Sequence, residues 1–221
     1  MKTQLRIVAG SLRGRKLTCH VSEAMRPTPQ MVREALFSIL GNAVPGRPFY
    51  DVFAGTGVVG MEAVSRGASL GLFVERDFRL IAAIEDHLDG FGIRDQTRII
   101  RGDVYRWLER WQPPKDPSVV FLSPPFADLT ERPWEMLKAV AALRERLPDG
   151  SVLVLQLEES PFLERLPDRD KWDERKYGRN YLLFWVQGET GTDQPSTLGE
   201  SDPAAQSEAE AADDQHGDGG A

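Results

Sequence analysis

From residue 49 onward, short apolar runs alternate with segments of helical period, and that alternation leaves the chain few folds. Residues 49–53, 70–75, 97–101, 119–122 and 152–157 read as strands. Helices are expected near 58–66, 78–88, 104–111 and 133–146. Strands that alternate with helices in this way belong to a mostly parallel sheet covered by helices on both faces. The end of the pattern differs. Residues 172–177, a turn at Gly178 and residues 181–186 read as an antiparallel pair closing the sheet.

Ahead of this block, residues 5–18 read as a small β-hairpin, with Leu5, Ile7 and Ala9 alternating with polar neighbours and turns at Gly10-Ser11 and Gly14. Thr28 is expected to cap a helix whose first position is Pro29. Val32, Ala35, Leu36 and Ile39 give that helix its apolar stripe, and Gly41 ends it. Past residue 187 there is no aromatic residue and only one large aliphatic, Leu198. Such a segment cannot bury enough apolar surface to offset its ordering entropy. The expected organisation is therefore a basic hairpin-and-helix extension over 1–48, an α/β domain over 49–188 and a disordered acidic tail over 189–221.

The net charge of −7 conceals this division. The tail holds nine acidic residues and no Lys or Arg, so the rest of the 221 residues carries about +2. Residues 1–50 hold eight basic residues against Glu23 and Glu34. A basic leading region suits a phosphate backbone, although a solvated surface fits the charge equally well. A single cysteine, Cys19, rules out an intrachain disulfide, and with three histidines it argues against a structural zinc site. No apolar run approaches bilayer-spanning length, and the N-terminus lacks a signal-peptide core. The expected setting is the cytoplasm, with no membrane and no metal.

Asp51-Val-Phe-Ala-Gly55-Thr-Gly57-Val-Val-Gly60 crosses from strand to helix. Glycines let a backbone turn tightly and approach a ligand, and the following helix offers free N–H groups. Glu75, ending the second strand, is placed to accept from two ribose hydroxyls, and Asp103, after the third, to accept from an adenine amino group. The same glycines form a literal GxGxxG, with Glu75 20 residues beyond Gly55, so the loop alone fits a nicotinamide dinucleotide as well as S-adenosylmethionine. Two features favour the latter. Asp51 opens a D-x-F-x-G-x-G pattern, suited to the amino group at the methionine end of the cofactor. The second feature follows strand four. Phe53, Arg76 and Val104, beside these acids, complete the candidate cofactor site.

Ser123-Pro124-Pro125-Phe126 stands at the carboxyl end of that strand, where a doubly wound sheet carries its functional loops. An exocyclic amino nitrogen is a poor nucleophile because its lone pair is delocalised into the ring. Acceptors placed on its N–H groups, in line with the sulfonium methyl, assist transfer. Proline donates no backbone hydrogen bond and fixes φ, so a Pro-Pro step presents rigid carbonyls. Phe126 can stack on a flipped base. Tyr105, Trp107 and Trp111 read as core or helix-face aromatics, Trp134 as packing a helix start, and His87 as a solvent-facing helix residue.

The segments Arg6-Ile-Val-Ala-Gly10, Gly14-Arg15-Lys16-Leu17, Arg26-Pro27-Thr28, Val32-Arg33-Glu34-Ala35-Leu36-Phe37, Asp51-Val-Phe-Ala-Gly55-Thr-Gly57 and Lys176-Tyr177-Gly178 together resemble the RsmD-like 16S rRNA (guanine-N2)-methyltransferases, over about Leu5 to Val186. The resemblance implies a Rossmann-like class I methyltransferase fold of seven strands, S-adenosylmethionine as donor, and a guanine of small-subunit 16S rRNA as acceptor. It assigns the cofactor to Asp51, Gly55, Gly57, Glu75 and Asp103, and the base to Ser123, Pro124 and Phe126. Arg13, Arg15, Lys16 and Arg26 become the expected RNA contacts, and the chain is expected to act as a monomer. One departure stands out, because the family usually has Asp where this chain has Ser123. Charge-assisted hydrogen bonds are about twice as strong as neutral ones. Ser-Pro-Pro is also familiar among enzymes acting on amino groups of DNA bases. A DNA amino-methyltransferase and a catalytically impaired RNA-binding assembly factor therefore stand as alternatives.

Overall fold

The computed structural model describes residues 2–20 and 25–188. The expected tail, 189–221, lies outside the described residues. A seven-stranded sheet has the order β5-β4-β3-β6-β7-β9-β8, formed by β3 (Pro48–Val52), β4 (Leu70–Glu75), β5 (Thr97–Arg101), β6 (Val119–Leu122), β7 (Val152–Glu158), β8 (Asp173–Tyr177) and β9 (Asn180–Val186). Pairing is parallel from β5 through β7, and only β9 runs antiparallel to its neighbours. The reversal follows from the tight connection at Gly178, which joins paired Tyr177 and Asn180 and leaves no room for a crossover helix. β3 and β6 are apolar almost throughout because both their faces are covered.

One face packs against α1 (Gln30–Leu40), α2 (Val58–Ser65) and α3 (Phe78–Phe91), the other against α4 (Val104–Arg110), α6 (Pro133–Arg146) and α7 (Phe162–Arg165). A separate hairpin, β1 (Lys2–Arg6) with β2 (Lys16–His20), shares the first of these cores through Ile7, Leu12 and Leu17. Its strands lie further from the turn than the alternation suggested, β1 beginning at Lys2 and β2 running on to His20. Ile7 and Ala9 lie past the strand, in a loop docked on the end of α2. There Ser65 donates from Oγ to the Ala9 carbonyl (2.6 Å), and its carbonyl accepts from the Ser11 N–H (2.8 Å). Gly10 has φ +83°, and a Cβ on it would lie 1.8 Å from the Ser65 carbonyl oxygen, so the docking demands glycine.

Several local expectations change. Pro29, not Thr28, occupies the cap of α1, which begins at Gln30. A residue before proline is pushed to extended backbone, and the buried Thr28 hydroxyl finds Gln156 instead of a helix N–H. His87 is half-buried, with its ring nitrogen 3.1 Å from the Thr18 carbonyl. Trp134 is 66% exposed rather than packed. Two short helices, α5 (Phe126–Glu131) and α7, occupy stretches for which the sequence pattern gave no element. Among the described residues, no helix is long and apolar enough to cross a membrane.

The extension is clamped by a buried ion pair. Arg33 and Glu62 have side chains 1% and 0% exposed, 3.2 Å apart. Arg33 also donates to the carbonyls of Thr28 (2.7 Å) and Arg6 (2.8 Å), while Arg66 covers the other Glu62 oxygen at 2.9 Å. Removing one partner of such a pair strands the other. Arg33→Met is expected to cost about 3 kcal/mol in urea unfolding. Arg33→Lys should recover only part of that loss, since one ammonium cannot reach three acceptors in different directions.

Candidate active site

The carboxyl ends of β3, β4, β5 and β6 converge on one edge of the sheet, and every acid predicted from the sequence stands there. Asp51 is 1% exposed, and its Oδ2 accepts from the Gly60 N–H at 2.9 Å, reaching across the loop to the first turn of α2. Gly60 is needed for that approach, because a Cβ there would lie 2.4 Å from the Phe73 ring. Burial drives the Asp51 carboxyl from its ordinary range up to about 7; the Gly60 N–H opposes this and nearby Glu75 adds to it.

Glu75 accepts from the Gly55 N–H at 2.8 Å with one oxygen and from the N–H groups of Arg76 (2.8 Å) and Asp77 (2.9 Å) with the other. The carboxylate is held rigid at the strand end and keeps further lone pairs for a diol. Phe53 is half-buried with φ +64°, an uncommon backbone for an aromatic residue, and it meets the Tyr105 ring edge-on at 6.0 Å. On Gly55, φ +54°, a Cβ would sit in ordinary contact with the Met25 sulfur at 3.6 Å, so the left-handed backbone rather than crowding asks for glycine there.

Asp103 is committed more heavily than the sequence suggested. Its Oδ1 caps α4 through the N–H groups of Tyr105 (3.1 Å) and Arg106 (3.2 Å), and its Oδ2 meets the Arg132 guanidinium at 3.3 Å. Burial works against the ionised form, yet the Arg106 N–H and Arg132 hold the carboxyl below its ordinary range. Arg132 lies over the Tyr105 ring at 4.2 Å, and the Tyr105 hydroxyl donates to Asp128 at 2.8 Å. Burial, then Asp128, keep that phenol protonated. Val104 behind Asp103 is buried, and Arg76 is exposed.

The Ser123 N–H donates to the Val52 carbonyl at 3.3 Å, which sets the Ser-Pro-Pro-Phe loop beside the Asp51 loop. Pro124 is buried and Pro125 caps α5 with φ −57°, its carbonyl accepting from the Asp128 N–H at 2.9 Å. Phe126, the first residue of α5, is 56% exposed. The Ser123 hydroxyl donates to Gln156 Oε1. Gln156 escaped the sequence reading, although a single polar residue inside the apolar run Val152-Leu-Val-Leu-Gln156-Leu was a usable signal.

The basic residues separate. Arg26 lies at this edge, 3.5 Å from Glu158 at the end of β7. Arg13 is exposed in the hairpin loop, and Lys16 borders a polar groove of about 320 Å³ with Arg6, Gln4 and Gln30. Arg15 is engaged with the protein itself, donating to the Gly90 carbonyl and lying 4.7 Å above the Phe91 ring.

The family model described as Conserved hypothetical protein 95 matches residues 5–186. The chain belongs to this family, that of the RsmD-like methyltransferases. Ribosomal RNA small subunit methyltransferase D of Haemophilus influenzae is 36% identical over 126 residues, which are 57% of this chain and 65% of that protein. The solved structure of the Escherichia coli protein yhhF superposes with a TM-score of 0.68 at 28% identity, covering 85% of this chain and all of the other. An RNA methyltransferase from Salinibacter ruber, solved with S-adenosyl-L-homocysteine, shares the fold at 20% identity and a TM-score of 0.54, over 76% of this chain and 98% of its own. The fold is that of class I S-adenosylmethionine-dependent methyltransferases, and S-adenosylmethionine is the cofactor.

The donor set fits that molecule. Glu75 suits the ribose diol, and Asp51 suits a cationic amino group because a buried carboxyl near 7 ionises readily beside a positive charge. When bound, the cofactor supplies an electrophilic methyl group. The sign of the pH effect follows from the raised value at Asp51. Binding an ammonium needs the carboxylate, so affinity falls as pH drops through about 7. S-adenosylmethionine affinity measured by calorimetry is expected to weaken about tenfold from about pH 8 to about pH 6. Asp51→Asn should bind weakly with a flat profile. Because a raised carboxyl destabilises the fold once ionised, that variant should melt no lower than wild type at pH 8.

Proposed function

We propose that the protein transfers the methyl group of S-adenosylmethionine to the exocyclic N2 of a guanine in 16S rRNA of the small ribosomal subunit. The observation carrying this reading is the juxtaposition, through the Ser123 N–H and the Val52 carbonyl, of the Ser-Pro-Pro-Phe loop with the Asp51 loop. A base held by the first is brought to a methyl group held by the second. The Pro125 carbonyl is spent on α5, so the Pro124 carbonyl and Ser123 Oγ serve as acceptors for the two amino hydrogens. The exposed Phe126 ring stacks on the flipped guanine. The donor sulfur becomes neutral on transfer and the nitrogen loses a proton, which neighbouring water accepts. Family membership supports the reading, as does the likeness to the ribosomal RNA small subunit methyltransferase D of Haemophilus influenzae.

On this reading Arg26, at the same edge, and Lys16 with Arg13 along the hairpin bind RNA phosphates, which give affinity and salt dependence rather than sequence choice. Arg15 contributes less, being held by Gly90 and Phe91. The enzyme works as a cytoplasmic monomer without a metal.

The test combines purified protein, labelled cofactor and small subunits from cells lacking this gene, followed by nucleoside analysis of the rRNA. Labelled N2-methylguanosine is expected. Phe126→Ala should lower kcat/KM by about tenfold to a hundredfold, the worth of one stacked base. Transfer to DNA amino groups instead, or tight cofactor binding without any transfer, would sink the reading and favour one of the two alternatives.

A further inference from the structure

Gln156 is 7% exposed and is the only polar side chain among the first six residues of β7. Its Oε1 accepts from the hydroxyls of Ser123 and Thr28, the latter at 3.4 Å, and its Nε2 donates to Asn180 Oδ1 on the antiparallel neighbour β9 at 3.0 Å. All hydrogen bonds at this amide depend on which way it faces. Turned over, it would set its oxygen against Asn180 Oδ1, acceptor to acceptor, and its N–H₂ against Ser123.

A serine hydroxyl has one proton and two lone pairs. With its O–H directed to Gln156, Ser123 has only lone pairs left for whatever occupies the cleft. With its proton free, it could equally donate to a ring nitrogen or a carbonyl. We propose that Gln156, held by Asn180, is a positioning residue that accepts the hydrogen bond of the Ser123 hydroxyl and makes this hydroxyl an obligate acceptor for amino hydrogens. The proposal rests on the reading that Ser123 accepts from an exocyclic amino group. It gives a neutral residue the acceptor-only character that a carboxylate has by nature. Thr28 adds a second donor on the same oxygen and ties the Arg26-Pro27-Thr28 segment into the network.

Two measurements test this, the first independent of methyl transfer. In full-length protein carrying Ser123→Cys, the thiol's pKa is read from the pH dependence of its alkylation by iodoacetamide, with the buried Cys19 as slow background. A carbonyl oxygen facing the sulfur disfavours the thiolate, whereas an N–H would favour it. Adding Gln156→Met is therefore expected to lower the thiol pKa by about half a unit or more, and adding Asn180→Ala, which frees the amide to turn, should move it the same way. A rise, or no change, in both would overturn the proposal. The Asn180 variant also decides if the Gln156 variant fails to fold.

The second measurement is turnover. Gln156→Met is expected to lower kcat about tenfold with cofactor affinity unchanged, and Gln156→Glu, which keeps an acceptor, to recover most of it. The double variant Ser123→Ala/Gln156→Met should be no slower than Ser123→Ala alone, because both act through one hydroxyl. Additive losses would mean a structural role only. If wild type methylates no rRNA, the functional reading fails while the thiol measurement still decides the orientation of Gln156.

Discussion

Everything at the N-terminal side of the cleft hangs on one buried guanidinium. Arg33 spends its donors on Glu62 of α2, the Arg6 carbonyl at the end of β1 and the Thr28 carbonyl ahead of α1. Four chain segments are thereby fixed by a single planar group. Arg33 suits the task because its donors point in fixed, divergent directions, whereas a lysine would offer one point charge. Burying the pair is costly in solvation, and the cost is offset only because every charge is met, Arg66 completing Glu62. The return is positional. Thr28 is delivered to Gln156, and Arg26 to the rim of the cleft.

The acids across the sheet edge obey the same logic at smaller scale. Each is held before any ligand arrives: Asp51 by Gly60, Glu75 by Gly55, Arg76 and Asp77, Asp103 by the first turn of α4 and by Arg132. Carboxylates fixed by backbone N–H groups lose little freedom when a ligand binds, which is the advantage of preorganisation. Their differing burial then separates their chemistry. Asp51, shut away from water, sits near neutrality, whereas Asp103 stays firmly ionised. Arg132 is the unexpected member, since it occupies the Asp103 oxygen that an adenine amino group would otherwise meet. A bound adenine must share that oxygen or shift the guanidinium along the Tyr105 ring.

Much of this was legible in the linear chain. The sheet strands, the antiparallel finish at Gly178 and the three strand-end acids stand where the pattern put them, because buried parallel strands must be continuous apolar runs and glycine turns must precede ligand-binding helices. The misses share a cause. Ile7 and Ala9 left the hairpin to dock on Ser65, Thr28 left the helix cap for Gln156, and Trp134 stayed exposed. In each case a partner more than fifty residues away, or its absence, overrode a sound local preference.

Local chemistry and period thus determined the class of fold and the two candidate loops, at Asp51 and at Ser123, since those depend on residues adjacent in the chain. Which lone pairs of Ser123 face the cleft, what Asp103 is free to bind and why Arg33 is buried were decided only in three dimensions. Hydrogen-bond direction and desolvation depend on partners that the fold alone brings together, such as Gln156 and Asn180 for Ser123, Arg132 for Asp103 and Glu62 for Arg33.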